Sequence, residues 1–373
     1  MVLVPSPDLF DWPNHNHCWW ILQDWRKLKQ PPDVVLIGSS VVYKAVNGAD
    51  ANLLNQPIDE ALHHRSFVLE QALSQKSKQL RSSFCLCTPA QMPSDTYAFH
   101  ATLFKDNFKP KIMVWGIFAR DFLDTTSSAG PLSSAVARHM NRISMRRVVD
   151  SDRKSFWNQV SDGLAEMFPL IKKRDDVLCL VNDGARTVAK KELDEGLGLK
   201  EMRNGPSDGM LINNPFVELV PGALVTKPDY QQSPPKDSSS CDRNRFRYFD
   251  EHIFKLQCDY FERVLVRSQS LGIRPVVIYM PVTEDNLKEM PPGSRERVME
   301  TVQAIMRRHN VEFHDFSGKG LFARNEFGDF MHLNCVGASK LMRALADNVD
   351  WDQDRQGGKM RDQSTLSNTN TPL

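Results

Sequence analysis

The feature that most constrains the fold is a repeated alternation of short apolar runs with longer, helix-like segments. The apolar runs are "DVVLIGSS" (33–40), "SSFCLCTP" (82–89), "PKIMVWGI" (110–117), "IRPVVIYMP" (273–281) and "VEFHDFS" (311–317). Short continuous runs of this kind, bounded by proline, glycine or serine, are typical of strands buried on both faces. Strands that alternate with helices predict an α/β protein with a doubly wound parallel sheet.

The segments between the runs have helical patterns. They are 55–77 ("NQPIDEALHHRSFVLEQALSQKS"), 248–272, where Ile253, Leu256, Tyr260 and Val264 recur on one side, 291–310, and 335–349 ("CVGASKLMRALADNV"). Neighbouring positions of a helix point in different directions, so His63 and His64 are not expected to form one site. The run "DDVLCLVND" (175–183) fits either a further strand or a buried helical turn.

Changes in composition suggest the domain organisation. Residues 1–30 are predicted to be an N-terminal extension, and 31–350 a single α/β domain. Within that domain, 190–245 has the Pro, Ser and Asp content of an insertion that ends in an exposed loop. The segment 351–373 has almost no apolar residues and is predicted to be disordered.

Charge and cysteine usage exclude several classes of function. The 47 basic and 46 acidic residues are interspersed and give a net charge of +1, so no nucleic-acid footprint is present. The seven cysteines are scattered and odd in number, as expected for free thiols in a reducing compartment. Cys85 and Cys87 have no second pair at metal-ligand spacing, so no metal site and no cofactor are predicted.

The sequence shows no export or membrane-spanning pattern. Pro, Asp and His interrupt the first thirty residues, and no apolar stretch reaches the length of a spanning helix. A cytoplasmic protein is therefore expected. The stretch 19–22 ("WWIL") allows peripheral membrane association as an alternative to packing at the edge of the core.

Three polar residues lie where a parallel sheet collects its ligands, outside the carboxyl ends of the strands. Ser40 follows the first strand at the start of a helix, a position that suits a nucleophile, although a serine there is more often a helix cap. Asp329 and His332 follow the last strand, at a spacing that suits a carboxylate orienting a histidine base. A turn aspartate beside an edge histidine is the alternative, and Asn334 is predicted to cap the final helix.

Together these stretches resemble the first and last sequence blocks of the SGNH, or GDSL-like, hydrolase superfamily. The matching motifs are Gly38-Ser39-Ser40 and Asp329-x-x-His332-x-Asn334. The resemblance implies a flavodoxin-like, three-layer α/β/α fold, with Ser40 as nucleophile, His332 as base and Asp329 as orienter. "GSS" in place of the commoner Gly-Asp-Ser resembles divergent branches that include polysaccharide O-acetyltransferases and teichoic acid D-alanylation proteins.

The middle blocks depart from that family's pattern. A glycine after the second strand and Gly-x-Asn-Asp after the third would complete the oxyanion hole. Here "CTPAQMPSD" (87–95) places Ala90 after the second strand, and "WGIFARDF" (115–122) keeps Gly116 but has Arg120-Asp121 near the Asn-Asp position. Arg120 either replaces the missing amide or forms a salt bridge with Asp121 or Asp124. The candidate oxyanion or substrate-binding residues are Gly38, Ser39, Ala90, Gly116 and Arg120.

The leading interpretation is a serine ester hydrolase or O-acyltransferase that acts on an acyl ester or an acylated glycan. The alternative is a catalytically weak domain that binds a glycan or assists a membrane-bound acyltransferase, which the missing asparagine favours. Other polar residues near the same edge either line a pocket or cap helices. They are Ser94, Asp95, Glu284, Asp285 and Asn286.

Overall fold

The computed structural model describes residues 15, 17–77, 80–124, 220–228, 248–318 and 320–351. All of them fall in one compact unit, formed by Met1–Arg146 together with Ile212–Leu373. The run 175–183 and most of the predicted insertion and C-terminal tail lie outside the described residues. The predicted domain boundaries stay predictions.

The described core is built on a five-stranded parallel sheet in the order β3-β1-β4-β6-β7. Its strands are β1 (Val34–Gly38), β3 (Ser83–Cys87), β4 (Ile112–Ile117), β6 (Arg274–Tyr279) and β7 (Glu312–Asp315). A separate antiparallel pair joins β2 (Ile58–Asp59) to β5 (Val225–Thr226). Each of the five apolar runs contains one strand of the parallel sheet, so the predicted α/β fold is confirmed.

Helices cover both faces of this sheet. They are α1 (His17–Lys27), α2 (Ser40–Leu54), α3 (Phe67–Lys76), α4 (Pro93–Leu103), α5 (Arg120–Leu123), α6 (Glu251–Ser270), α7 (Glu284–Lys288), α8 (Ser294–Arg308) and α9 (Cys335–Asn348). Helices α2, α3 and α9 pack together on one side, whereas α4, α5 and α8 pack around α6. These two layers and the sheet form the expected α/β/α arrangement.

The helical segment predicted over 55–77 is confirmed for α3 (Phe67–Lys76) and wrong for the residues before it. Helix α2 already begins at Ser40 and ends before Asn55, whose left-handed backbone (φ 50°) is a common helix stop. His63 and His64 lie in the loop that follows β2. The Nε2 of His63 lies 2.7 Å from the Asp50 carboxylate, and Nδ1 of His64 lies 2.9 Å from Asp24. Tertiary hydrogen bonds, and not helical periodicity, therefore fix this segment.

Two helices use faces that differ from the simplest sequence expectation. Ile253 and Leu256 of α6 are only partly buried, because Phe254 and Phe261 supply the core side of this helix together with Val264. In α1, Ile21, Leu22 and Trp25 join the main core, while Trp19 and Trp20 are half-buried. Among the described residues, no helix has the length and apolar character needed to cross a membrane.

Candidate active site

Ser40 is the first residue of α2, and it follows β1 after the single intervening residue Ser39. Ser39 is fully buried and extended (φ −88°, ψ −168°), and its carbonyl accepts the first backbone hydrogen bond of the helix from Val42 (3.0 Å). The Ser39 side chain makes no helix-capping bond. Ser40 thus stands at a helix N-terminus, where backbone N–H groups and the helix dipole stabilise negative charge.

His332 contacts both of the other predicted triad residues. Its Nε2 lies 2.9 Å from the Ser40 hydroxyl, and its Nδ1 lies 2.8 Å from Oδ2 of Asp329. The ionised carboxylate can only accept, so Nδ1 carries the hydrogen and Nε2 accepts from Ser40. Ser40 and His332, which are 292 positions apart in the chain, are therefore within hydrogen-bond distance. His332 lies between the serine and the aspartate.

The Asp329 carboxylate is held in its charged form. Its Oδ1 accepts from the backbone N–H groups of Met331 (2.8 Å) and His332 (2.7 Å). Burial raises the pKa of Asp329, but electrostatic attraction to the His332 ring, the hydrogen bond from its Nδ1 and these two backbone hydrogen bonds outweigh burial and hold the pKa well below its usual value. Asp329 is therefore ionised at neutral pH, as a residue that orients an imidazole must be.

The close packing of α2 against α9 explains why Ser40 and His332 meet. A Cβ added at Gly48 of α2 would lie 3.1 Å from Cβ of Ala338, and Asn52 donates to the Ser339 hydroxyl (2.8 Å). Both helices follow strands of the parallel sheet, so they begin at the same edge. Ser40 begins one helix, and His332 lies three residues before the first residue of the other.

The turn that carries His332 is fastened to the start of α9. Within the turn, Gly328 donates to the His332 carbonyl (2.9 Å). The predicted cap is confirmed, because the Asn334 side chain accepts from two backbone N–H groups of the first turn of α9, both at 3.0 Å. A Cβ added at Gly337 would lie only 2.2 Å from the carbonyl oxygen of Glu326. A residue with a side chain at 337 would push the turn away from the helix.

Gly38 and Gly116 let α2 lie close to the sheet. Gly38 has φ +150°, and a Cβ there would lie 2.4 Å from the carbonyl oxygen of Gly116 and 2.8 Å from Cγ2 of Val42. A Cβ at Gly116 would lie 2.4 Å from the same Val42 methyl group. Both glycines pair side by side in β1 and β4. Their role in the structure is to allow close packing of α2 on the sheet, and this packing positions Ser40.

Arg120 forms the buried ion pairs that the sequence left as one alternative. Its Nη2 lies 2.7 Å from Asp121, and its Nη1 lies 3.3 Å from Asp124. All three side chains are buried. Burial raises the pKa of Asp121 to about 6, although the Arg120 charge and the hydrogen bond from the Phe118 backbone N–H act against that shift. Both terminal nitrogens of Arg120 are therefore paired with carboxylates, one within α5 and one directly after it.

Ala90 lies in a tight turn directly after β3. Gln91 donates to the Thr88 carbonyl (3.3 Å), and Ala90 has a left-handed backbone (φ 55°) that favours glycine. The Gln91 side chain accepts from both the backbone N–H (2.9 Å) and the hydroxyl (3.0 Å) of Thr88. Thr88 also donates to the Gly38 carbonyl (3.2 Å). Hydrogen bonds therefore hold the turn in place beside the strand that leads to Ser40.

The remaining candidates include a helix cap, buried residues and surface residues. Asp95 accepts from the Met92 N–H (2.9 Å) and caps α4, and the Ser94 N–H donates to Gln257 (3.0 Å). Glu284 and Asp285 are exposed on α7. Asn286 is fully buried.

Sequence reasoning missed Thr283. This residue is 3% exposed, and its hydroxyl donates to the carbonyl of Phe330, inside the His332 turn, at 2.5 Å. The only signal in the sequence was its position in a loop after β6, at the sheet edge that also carries Ser40.

The cysteine pair of β3 fits a structural role. Cys85 and Cys87 are free and buried, and burial raises the pKa of the Cys87 thiol well above its usual value. Among the described residues, no three His, Cys, Asp or Glu side chains converge in a way that would hold a metal ion.

Comparisons with known proteins assign neither a family nor an activity to this chain. No family model matches the chain, and no curated protein matches it by sequence. Among solved structures, a crystal structure of an acetyl xylan esterase aligns with a TM-score of 0.37 and 10% sequence identity, over 85% of this chain and 99% of that one. At so low a TM-score, any functional assignment depends on the geometry of Ser40, His332 and Asp329.

Proposed function

We propose that the protein is a serine ester hydrolase or O-acyltransferase that works through an acyl-enzyme on Ser40. The observation that carries the proposal is the continuous contact from the Ser40 hydroxyl to His332 (2.9 Å) and from His332 to the Asp329 carboxylate (2.8 Å). A weak nucleophile next to a base, which is itself oriented by a third group, is the usual signature of nucleophilic acyl transfer.

The proposed reaction has two half-reactions. In the first, His332 removes the Ser40 proton while the serine oxygen bonds to the acyl carbon. The tetrahedral intermediate then expels the alcohol, which receives that proton from His332. In the second, His332 deprotonates water or an acceptor hydroxyl, which attacks the acyl-enzyme. The second tetrahedral intermediate then expels Ser40, whose oxygen takes that proton back from His332. Asp329 stabilises the imidazolium that forms in each step and keeps its ring in place.

Negative charge on the carbonyl oxygen would be stabilised at the start of α2. The Ser40 backbone N–H and the positive end of this 15-residue helix are suited to that purpose. The turn with Ala90 follows the neighbouring strand and is our candidate for further contacts to the same oxygen. We assign Arg120 to holding the segment after β4, because Asp121 and Asp124 engage its guanidinium group.

For the substrate we propose an acyl ester, with an acylated glycan as the preferred class. The basis is the similarity of "GSS" to polysaccharide O-acetyltransferases. We also propose a cytoplasmic location and cooperation with a membrane-bound acyltransferase. A glycan-binding domain with little catalytic power is the second candidate, favoured by the absence of an asparagine at the position of Arg120.

The test combines a fluorophosphonate probe with a panel of small esters and acetylated sugars. We expect covalent labelling and turnover by the wild type, and loss of both in Ser40→Ala and His332→Ala. Ser74→Ala is a matched control, because Ser74 is exposed and bonds only locally to the Gln71 carbonyl. A folded wild type that neither labels nor turns over any ester, but binds a glycan, would establish the second candidate instead.

A further inference from the structure

We propose that Thr283 is a positioning residue for the Asp329–His332 pair, an inference that rests on the proposed function. Thr283 follows β6 and lies next to the turn that contains the pair. Its hydroxyl donates to the carbonyl of Phe330 at 2.5 Å. Phe330 is the residue directly after Asp329 and two before His332.

The orientation of the Thr283 hydroxyl is fixed from two sides. Its hydrogen is used by the Phe330 carbonyl, and its oxygen accepts from the Asn286 backbone N–H at 3.2 Å. Thr283 is 3% exposed and Phe330 is 9% exposed, so water has little access to either group. A buried carbonyl that loses its donor must move or stay unpaired, and both outcomes disturb the turn.

The hydrogen bond between Thr283 and Phe330 has a role in catalysis because of where it lies relative to the sheet. On its other side, the turn is fastened to α9 through Asn334 and Gly337. Thr283 connects it to β6, which pairs with β4 beside Gly116, and β4 pairs with β1, the strand that leads to Ser40. The bond therefore links the base and its carboxylate to the same sheet that places the nucleophile. A small error in the distance between reacting groups costs far more in rate than in binding.

The competing explanation is that Thr283 only caps α7. A cap needs the hydroxyl oxygen as an acceptor, and its loss would weaken a short helix without changing the distance from His332 to Ser40. Ser66 offers a matched control for this role. It caps α3 by accepting from the Leu69 N–H (3.3 Å), is equally buried, and belongs to no part of the proposed machinery.

The experiment uses the full chain and compares wild type with Thr283→Val, Thr283→Ser and Ser66→Ala. The readouts are the fluorophosphonate labelling rate and the kcat and KM for the best ester of the panel. We expect Thr283→Val to lower the labelling rate and kcat about 10- to 100-fold with KM within about twofold of wild type. We expect Thr283→Ser, which keeps the donor, to restore both rates, and Ser66→Ala to leave them unchanged.

Several outcomes would overturn the inference. A folded Thr283→Val with wild-type rates would do so, and so would a change confined to KM, which would assign Thr283 to substrate binding. If Thr283→Val does not fold, Thr283→Cys places a thiol, which is a weaker donor, at the position of the hydroxyl. Its labelling rate must then fall between those of Thr283→Ser and an inactive Ser40→Ala, and a rate equal to wild type counts against the proposal. A wild type without labelling or turnover refutes the proposed function itself, whereas an active wild type with an unaffected Thr283→Val refutes only this inference.

Discussion

The carbonyl oxygen of Gly116 lies where a side chain of residue 38 would project, 2.4 Å from an ideal Cβ at Gly38. The two residues pair in register across β1 and β4, directly below the start of α2. Val42 of α2 lies against both glycines, since a Cβ at residue 38 or 116 would lie 2.8 or 2.4 Å from its Cγ2, and this close fit sets how near the helix that begins with Ser40 approaches the sheet. It also gives Gly38 and Gly116 a physical role that does not require either of them to touch a substrate.

Gly38→Ala is expected to be strongly destabilising, because the new methyl group meets backbone and not a movable side chain. Overpacking of this kind costs about 3 kcal/mol in the free energy of unfolding. In Gly318→Ala, the added methyl would meet only the flexible side chain of Leu321, at 3.2 Å, so a change within about 0.5 kcal/mol is expected. Urea titration of both variants checks this, and equal stabilities would show that β1 and α2 can separate without cost.

Asp329→Asn is expected to lower kcat by about 10⁴-fold with little loss of stability, since an amide favours the wrong tautomer of His332. Asp285→Asn, on the exposed face of α7, is the control and should behave as wild type. Steady-state kinetics on an ester substrate measure the difference. An Asp329→Asn enzyme with more than a tenth of the wild-type kcat would remove Asp329 from the mechanism.

Arg120→Met is expected to destabilise the protein by about 3–5 kcal/mol, because it leaves the carboxylates of Asp121 and Asp124 buried without their cation. Arg308→Met breaks an exposed pair with Glu262 and should cost about 0–1 kcal/mol. Chemical denaturation compares the two. If Arg120 instead served the substrate, its variant would keep its stability and lose activity, which is the opposite pattern.

Stability is expected to fall as the pH drops below about 6.5, in part through His17. Burial lowers the pKa of this histidine to about 3, assisted by electrostatic repulsion from His64 and Lys44. A group whose folded pKa is lower than its unfolded value of 6.5 binds more protons when unfolded. Its contribution is therefore fully present above pH 6.5 and is lost as the pH falls toward 3.

His17→Phe should remove part of that pH dependence. The substituted ring still packs against Tyr43, whose centroid lies 5.1 Å from that of His17. Unfolding free energies measured from pH 7 to pH 4 should decline more slowly than in wild type, by roughly 1 kcal/mol per pH unit. An unchanged slope would mean that His17 is exposed to solvent and that α1 is not docked as described.

The sequence predicted those elements that are marked by apolar residues or capping residues within a short stretch of the chain. Each strand of the parallel sheet falls inside one of the predicted apolar runs, and the Asn334 cap follows from residue type and position. The error over 55–77 has a clear reason. Helical spacing in that segment competes with tertiary bonds from His63 to Asp50 and from His64 to Asp24, which local periodicity does not contain.

The candidate site likewise contains residues that the sequence predicted and residues that it did not. Ser40, Asp329 and His332 were predicted from their places after strands and from a family resemblance, and the structure brings them into contact. Thr283 carried no signal beyond its position after β6, because its hydroxyl donates to a carbonyl 47 residues away in the chain. For Arg120, the sequence was equally consistent with a donor that binds an anion and with a salt bridge to a neighbouring carboxylate.

By itself, the sequence determined the α/β class, the strand positions and the residue types available at the carboxyl edge of the sheet, because those depend on apolar patterning along the chain. The tertiary structure decided which polar groups meet. It paired Arg120 with Asp121 and Asp124, set Gly38 against Gly116, and placed His332 between Ser40 and Asp329. The distances that decide these contacts are set by the packing of β1, β4, α2 and α9, which no local stretch of sequence specifies.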